Sequence, residues 1–427
     1  MLDLKFVREN PDLVKKGLDK RKDSEKQPWI KEVLKLDKEY REKLQEGENL
    51  RAKRNEITEE VKKLLAEKKD AKQKIAEAKK LPDKIKEIEK TSAPLKEKID
   101  YYLMRLPNVL HDSVPYGKDD SENVVIKEFG EKISRKELPP HGELLEKHGW
   151  ADFDRATKVA GAGFYFLKGQ FALLDFALQR FALDKLMNKG YTVIQPPLLM
   201  NREAYSGVTD LNDFENVMYK IEGEDLYLIA TSEHPMAAMF RNEILPAEKL
   251  PIKFAGISPC FRKEIGKHGI DTRGIFRVHQ FNKIEQFIFC KPEDSWNLHE
   301  ELMQNAEEIF KELGLAYRIV NICTGDIGIV AAKKYDMEVW MPREEKYREV
   351  VSNSNCTTYQ AVRSNVKFRN KDGTKEYVHT LNSTAIATSR ALRALLETHY
   401  NNGVIKIPKA LQPYMNGAKE IKAENTF

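Results

Sequence analysis

The chain has 427 residues, 41% of them hydrophobic and 33% charged, with a formal net charge of +5. That length allows two or three domains with a sizeable core, and the charge-rich composition excludes a membrane protein, because no apolar run approaches the ~18 residues of a span. The nearest, Phe171 to Leu183, is broken by Asp175, Gln179 and Arg180, and the opening MLDLKFVRENPD carries no apolar signal segment, so a cytoplasmic protein is expected.

Charge is unevenly spread. Residues 1–104 hold 29 Lys and Arg against 23 Asp and Glu, a balance of +6, and the remainder holds 43 against 44, a balance of −1. A basic excess confined to one end is what a nucleic-acid-binding appendage would show. The four cysteines, Cys260, Cys290, Cys323 and Cys356, stand about thirty residues apart. This matches neither a zinc pattern nor a disulfide scaffold, so reduced thiols and no structural zinc are expected.

Residues 1–26 read as a small helical cap, with Leu4, Val7, Leu13, Val14 and Leu18 at helical spacing and Asn10-Pro11 as a start signal. From Trp29 to Leu65 the pattern is helical and highly charged, with Val33, Leu36, Tyr40, Leu50, Ile57, Val61 and Leu64 on one stripe. At ~1.5 Å per residue it would reach about 55 Å. A second stripe, Ala78, Leu81, Ile85, Ile88, Ser92, Leu95, Ile99, Tyr102 and Leu106, alternates three and four as a coiled-coil seam does. The two predict an antiparallel helical hairpin, kinked at Pro82 and Pro94. Its tip, Lys62 to Lys80, carries eight lysines against Glu67, Asp70 and Glu77. Such an arm suits a shape-reading grip on an RNA backbone, although a solvated dimerisation coiled coil is the plainer reading of the arm taken alone.

Residues 107–150 read as a linker leading into the body, with Pro139-Pro140 inside it. Leu173 to Asn188 predicts an amphipathic helix ended at Gly190, and Tyr191 to Ile194 a strand stopped by Pro196-Pro197, hence at an edge or interface. Further strands are expected at Leu226–Ala230, Arg318–Cys323, Tyr335–Met341 and Tyr347–Val351, with helices near Pro292–Leu313 and Ser389–Tyr400. Hairpin-rich strands with helices to one side predict an α+β body around an antiparallel sheet.

The stretch CFRKEIGKHGIDTRGIFRVHQFNKIE, from Cys260 to Glu285, is the most chemically loaded. It predicts a long hairpin whose returning side places Arg277, His279, Phe281, Lys283 and Glu285 at period two, on one face. Buried charges need partners, so a face with two cations, a His, a Phe and a Glu fits the lining of a cavity for a phosphate-rich ligand with a flat group to stack. Arginine forks suit phosphate and carboxylate oxygens. No G-x-x-x-x-G-K-[ST] loop occurs, and Gly161-Ala162-Gly163 is too little for a dinucleotide motif.

Here the chain resembles the class II aminoacyl-tRNA synthetases. The Leu173–Asn188 helix with Pro196-Pro197 is similar to their motif 1, Phe261-Arg262-Lys263-Glu264 through Phe281 and Glu285 to motif 2, and Leu381 to Arg390 (LNSTAIATSR) to motif 3. The arm, Thr231-Ser232-Glu233, Asp271-Thr272-Arg273-Gly274, the HQF run ending at Phe281, and EVVSNSN from Glu349 narrow the resemblance to the seryl-tRNA synthetase family of the non-zinc type.

The resemblance implies a fold, an activity and a set of residue roles. It implies an N-terminal tRNA-binding domain over residues 1–106, the linker at 107–150 and a class II catalytic domain at 151–427, acting as a homodimer. L-serine is activated with ATP to seryl-adenylate and passed to the 3′ end of serine tRNA; whether selenocysteine tRNA is also served stays open. For ATP it implies Arg262, Lys263, Glu264, Arg277, Val278, Phe281, Glu349, Val350, Val351, Ser352 and Arg390, with Arg262 and Arg390 catalytic and the adenine between Phe281 and Arg390. For serine it implies Thr231, Ser232, Glu233, Arg262, Glu285, Asn382 and Thr384, and for Mg²⁺ the oxygens of Glu349 and Ser352. How the serine amine and hydroxyl divide among Thr231, Glu233, Glu285 and Thr384 is left open. A site that hydrogen-bonds a hydroxyl rejects an analogue lacking it by up to ~10⁴–10⁵. Two departures from the family are Ser232, where Ala is frequent, and Ser383-Thr384-Ala385, where Gly-Ser-Gly is common. The alternatives are a ligase charging a carrier protein and a catalytically silent RNA-binding paralogue.

Overall fold

The computed structural model describes residues 1–209, 215–264 and 273–423, and its contacts divide the chain into two units, Met1–Val109 and Leu110–Phe427.

The first unit is helical: α1 (Leu4–Glu9), α2 (Pro11–Lys20), α3 (Gln27–Ala66) and α4 (Lys72–Arg105). Asp3 caps α1 by accepting the Phe6 N–H at 2.9 Å, and Pro11 opens α2, where a missing N–H costs nothing. Val7, Val14 and Leu18 are buried as their spacing requires, whereas Leu13, assigned to the same face, is 44% exposed. Helix α3 ends in a Schellman turn: Lys68 takes φ +54, and the N–H groups of Lys68 and Lys69 return to the carbonyls of Leu65 and Leu64. The return helix is antiparallel, since Arg51 pairs with Glu89 at 2.6 Å, Lys53 with Glu77 at 2.8 Å and Glu60 with Lys74 at 2.7 Å. Leu81, Ile85, Ser92 and Ile99 are buried along the seam, with Ile88 and Leu95 partly so. Pro82 and Pro94 lie inside α4 without ending it. Both are exposed, so water can bond the carbonyls they leave free. One feature carried no sequence signal: Asp37, 1% exposed, holds Arg8 and Arg41 at 3.2 and 3.0 Å.

The second unit is built on one eight-stranded sheet. Its strands are β1 (Val124–Phe129), β2 (Thr192–Ile194), β3 (Ile252–Phe261), β4 (Gln280–Cys290), β5 (Tyr317–Asn321), β6 (Lys333–Met341), β7 (Lys346–Asn355) and β8 (His379–Ala387). They lie in the order β1-β5-β6-β7-β8-β4-β3-β2. Every pair is antiparallel except β2, which runs parallel to β3 at the edge, so the α+β architecture is as expected. Two strands were not. Residues 107–150, read as a linker, contain the outer strand β1, and the central strand β8 has a polar sequence, HTLNSTAIA, that lacks an alternating apolar signal.

Around the sheet stand α5 (Gly169–Met187), α6 (Glu233–Ala238), α7 (Ser295–Glu312), α8 (Tyr359–Ser364) and α9 (Thr388–His399). Phe171, Leu178 and Phe181 of α5, Ile284 and Ile288 of β4, Leu302 and Phe310 of α7, and Leu392 and Leu395 of α9 form the shared core. Polar strand residues are accommodated because α7 meets them with backbone acceptors: Gln286 donates to the Leu302 carbonyl at 3.1 Å, Asn353 to that of His299 at 3.0 Å and Asn355 to that of Ser295 at 3.3 Å. The β3–β4 hairpin pairs Ile252 with Phe289 through Phe261 with Gln280. Its ladder starts at Gln280, so Arg277 and His279 stand outside the strand, and the common face read from the sequence holds only for Phe281, Lys283 and Glu285.

Candidate active site

One pocket floor is delivered by β4 and β8. Thr384 sits directly opposite Glu285 in the ladder, and its hydroxyl donates to Glu285 Oε2 at 3.3 Å. The Lys283 ammonium lies 2.6 Å from the same oxygen. All three are deeply buried, at 7, 1 and 5% exposure. The next unpaired residue, Ala385, is a bulge, a device that re-aims side chains beside functional sites. Asn382, two residues before Thr384, donates to Cys356 Sγ at 3.6 Å.

The Thr231-Ser232-Glu233 turn at the start of α6 closes over this floor. Gly256, opposite Glu285 on β3, makes the approach possible: a Cβ there would stand 2.8 Å from Ser232 Oγ and 2.6 Å from Met236 Cε. Ser232 donates to the Gly256 carbonyl at 3.4 Å, and the Glu233 N–H to Thr231 Oγ1 at 3.2 Å. Gln360 of α8 donates to Glu233 Oε1 at 3.0 Å. Burial, and then the Glu285 charge, push the Glu233 carboxyl up to about 7; Lys283, Gln360 and Arg262 offset this only partly.

Two guanidinium groups bound the other side. Arg262, just past β3, donates from Nε to the Ala230 carbonyl at 3.1 Å, and its guanidinium lies 5.3 Å from the centre of the Phe281 ring. Arg390, in the first turn of α9, lies 5.5 Å over Phe276, donates to the Glu349 carbonyl at 2.8 Å and pairs with the Glu349 carboxylate at 3.5 Å. The Glu349 side chain is 45% exposed; crowding by protein atoms would raise its carboxyl, but Arg390, Lys334 and Arg262 together hold it below its usual value. One carboxylate thus feels both arginines, which are 128 positions apart (390 − 262). Phe281 and Arg390 make no direct contact among the described residues.

A bulge at Val350 sets the spacing from Glu349 to Ser352. Val350 and Val351 are both buried, so only their backbone is positioned to meet a ligand. Ser352 lies opposite Asp336. Asp336 is 6% exposed, pairs with Lys334 at 3.0 Å and has an Oδ1 with no partner among the described residues. Burial raises its carboxyl, with Lys334 opposing and Glu349 adding to the shift.

The remaining sequence candidates are more scattered. The Lys263 ammonium lies 5.5 Å over Tyr219, Glu264 and Arg277 are exposed and Val278 is buried. Arg273 is held by Glu146 and Asp154 at 2.6 and 3.0 Å. Gly266, Lys267, Gly269, Asp271 and Thr272 lie outside the described residues. His279 is built into the scaffold, stacked on Phe164 at 5.3 Å and hydrogen-bonded to the Tyr219 hydroxyl. Sequence reasoning read Lys283 only as one of the cations lining the cavity and assigned no role to Gln360 or Asp336. For Asp336 a signal existed, since Lys334, Asp336 and Glu338 alternate on one strand. For Gln360, reached from a separate helix, there was none.

Comparison with known proteins gives the family. Residues 217–399 match the model of the class II tRNA synthetase core domain (G, H, P, S and T), and residues 1–110 that of the seryl-tRNA synthetase N-terminal domain. A serine–tRNA ligase of Methanocorpusculum labreanum is 61% identical over 98% of this chain and 99% of its own length. The seryl-tRNA synthetase of Pyrococcus horikoshii, solved with ATP, superposes with a TM-score of 0.90 at 50% identity and full coverage of both chains. The cytoplasmic enzyme of Naegleria fowleri, solved with AMP, gives 0.86 at 35% identity over 100% of this chain and 99% of that one.

Proposed function

The chain belongs to the seryl-tRNA synthetase family and is an ATP-dependent serine–tRNA ligase, and from that premise we propose how its residues divide the work. ATP lies across the sheet with its α-phosphate at Arg262 and its outer phosphates toward Arg390 and Arg277. The adenine occupies the gap between Phe281 and the Arg390 guanidinium, two flat partners for a flat base, with Glu264 and the backbone of Val278 at its edge. Serine enters the Thr231–Glu285–Thr384 pocket with its carboxylate toward Arg262.

A carboxylate oxygen of serine attacks the α-phosphorus. The new O–P bond forms as the bond to the departing pyrophosphate breaks, and the arginines neutralise the charge that accumulates on the phosphate oxygens. Positioning and fixed charge carry such a step. The terminal ribose hydroxyl of serine tRNA then attacks the seryl carbonyl and AMP leaves.

Glu349, Ser352 and the unpartnered Oδ1 of Asp336 supply hard oxygens, the donor type that Mg²⁺ takes beside substrate phosphates. Bound there, Mg²⁺ would neutralise phosphate charge. The basic tip of the α3–α4 pair is the surface for the tRNA backbone. Leu173 and Phe176 of α5, with Val193 and Leu198 near Pro196-Pro197, are exposed apolar residues, and they mark the face where a second copy docks. None of the described helices is long and apolar enough to cross a membrane, and the reaction belongs in the cytoplasm.

The observation that carries this reading is that Arg390 pairs with the Glu349 carboxylate at 3.5 Å while Arg262, beside Phe281, is near enough for its charge to act on the same carboxylate, so that one triphosphate can draw on both motifs. Exchange of labelled pyrophosphate into ATP, run with each amino acid, is expected to favour serine over every other amino acid by orders of magnitude. Exchange without any amino-acid dependence, or with another amino acid preferred, overturns it.

A further inference from the structure

Glu285 and Lys283 are buried beneath the turn that opens α6, where the half-buried Glu233 stands, and the lysine has so far been read only as a cavity-lining cation. Lys283 and Thr384 both engage Glu285 through Oε2, at 2.6 and 3.3 Å. Glu285 Oε1 engages no partner among the described residues. The lysine is therefore spent on one carboxylate, and the pair is internally neutral. Glu233 has a hydrogen bond from Gln360 at 3.0 Å but no cation within ion-pair distance among the described residues. Arg262, the other nearby cation, is turned to the Ala230 carbonyl and the Phe281 ring.

We propose that Lys283 is a positioning residue for substrate selection: by pinning Oε2 of Glu285 it presents Oε1 to the substrate hydroxyl and leaves Glu233 as the carboxylate that takes the ammonium. The division rests on the serine-activation reading above and deepens it. Charge decides it, because an ammonium entering a buried site seeks the uncompensated anion. A hydroxyl needs only an oriented acceptor, and Glu285 Oε1 is that acceptor, its carboxyl group oriented by the Lys283 contact at Oε2. The groups facing Glu233 are Glu285 and Lys283 from β4, Arg262 past β3, and Gln360 from α8. Cys356 lies close enough for Glu233 to act on its thiol. With two negative carboxyls near one another and one cation committed, Glu233 holds its proton more readily than an ordinary carboxyl. Serine binding should expel that proton.

Serine and alanine share the ammonium and differ in the hydroxyl, so the two carboxylates can be told apart by pyrophosphate exchange with both amino acids. Glu233→Gln is expected to lower kcat/KM for serine and alanine by the same factor, leaving their ratio within about threefold of the wild type. Glu285→Gln and Lys283→Met are expected to collapse the serine-over-alanine ratio by at least ~100-fold, within the range a hydroxyl-reading site commands. The KM for ATP should move less than threefold. Lys283→Arg, which keeps the cation and guards against a folding failure of the methionine variant, should retain most of the ratio. Calorimetry of serine binding near pH 6.5 in buffers of different ionisation enthalpy should show proton release in the wild type and none in Glu233→Gln. A Glu233→Gln variant that changes the ratio while Glu285→Gln does not reverses the assignment. A Lys283→Met variant with wild-type ratio and serine KM, or with ATP KM raised equally, reduces Lys283 to a structural residue. Absence of serine-dependent exchange in the wild type would instead strike the reading beneath both.

Discussion

On the α3–α4 pair the charges face water and the apolar atoms face each other; in the β4–β8 pocket that order is inverted. Arg51 and Glu89, paired across the helices, are 43 and 58% exposed, whereas Lys283 and Glu285 are 6 and 2% exposed. The helical pair is held by its seam, and most of the lysines at its tip are exposed, where a polyanion from solution can reach them. The pocket holds its charges out of water in fixed directions, which costs several kcal/mol per ion unless a partner or ligand compensates. Arrays of the first kind suit sequence-independent grip, and constellations of the second kind suit recognition of one small molecule.

The widest separation of the two regions is expected from removing residues 30–104. Charging of serine tRNA should fall by roughly a thousandfold or more, the scale of losing several phosphate contacts, while serine-dependent exchange stays within about threefold. Equal loss in both assays would show that the helices support the catalytic unit and would break the comparison.

Acid should also divide them. Residues 1–109 contain no histidine. In the second unit, burial pushes His141, His234 and His299 down to about 3 and His379 to about 4. Each folded value lies below the unfolded one, so the unfolded chain takes the proton first. The stability such a histidine contributes is complete above about pH 6.5 and is lost as pH falls toward 3–4. Glu233, raised to about 7, works in the opposite sense, because the folded protein gains its proton first. The net slope is therefore a poor test and a single-site change a good one. His141 Nε2 accepts the Ile275 N–H at 3.0 Å, which only the neutral ring can do. Replacing it by glutamine keeps an acceptor but removes the titration. Unfolding of His141→Gln should lose up to ~1.4 kcal/mol per pH unit of the wild-type slope between pH 6 and 4. Unfolding of the helical unit should not respond to the substitution. An unchanged slope in the variant would mean that the buried ring is not the source.

What could be read in the sequence follows the same division. The arm was legible because a seam between two solvated helices repeats: Leu81, Ile85, Ser92 and Ile99 are buried where the three-four spacing places them. Asp37 was not, since its partners Arg8 and Arg41 come from a different helix and a different turn. In the sheet, β6 and the α7 helix announced themselves by apolar content. Strand β8 did not, because Thr380, Asn382 and Thr384 are buried polar residues satisfied by neighbours distant in sequence, namely Gln360, Cys356 and Glu285. The class of site came from motif resemblance, and the geometry pairs Thr384 with Glu285 and Arg390 with Glu349, with Arg262 beside Phe281. The work of Lys283 could not be read from its alternation with Glu285, because period two says that two side chains share a face and not which oxygen one of them holds.

The smallest expected effect tests the solvated half of the comparison. The Arg51–Glu89 contact is short, 2.6 Å from Nη2 to Oε1, and joins the two helices, so distance alone would rank it with the Lys283–Glu285 pair. Exposure says otherwise. Water screens the attraction, and holding two long side chains in one geometry removes rotamer freedom, so exposed pairs are worth about 0.2–1 kcal/mol. A double-mutant cycle with Arg51→Met and Glu89→Gln, read by thermal unfolding of the full chain, should give a coupling below ~0.5 kcal/mol that fades further in 0.5 M salt. Each single variant should leave charging within about twofold, because the seam residues Leu81, Ile85 and Ile99 are untouched. A coupling above ~1.5 kcal/mol would mean that the helical pair depends on fixed ion pairs as the pocket does, and the contrast between a solvated grip and a buried reader would fail at its simpler end.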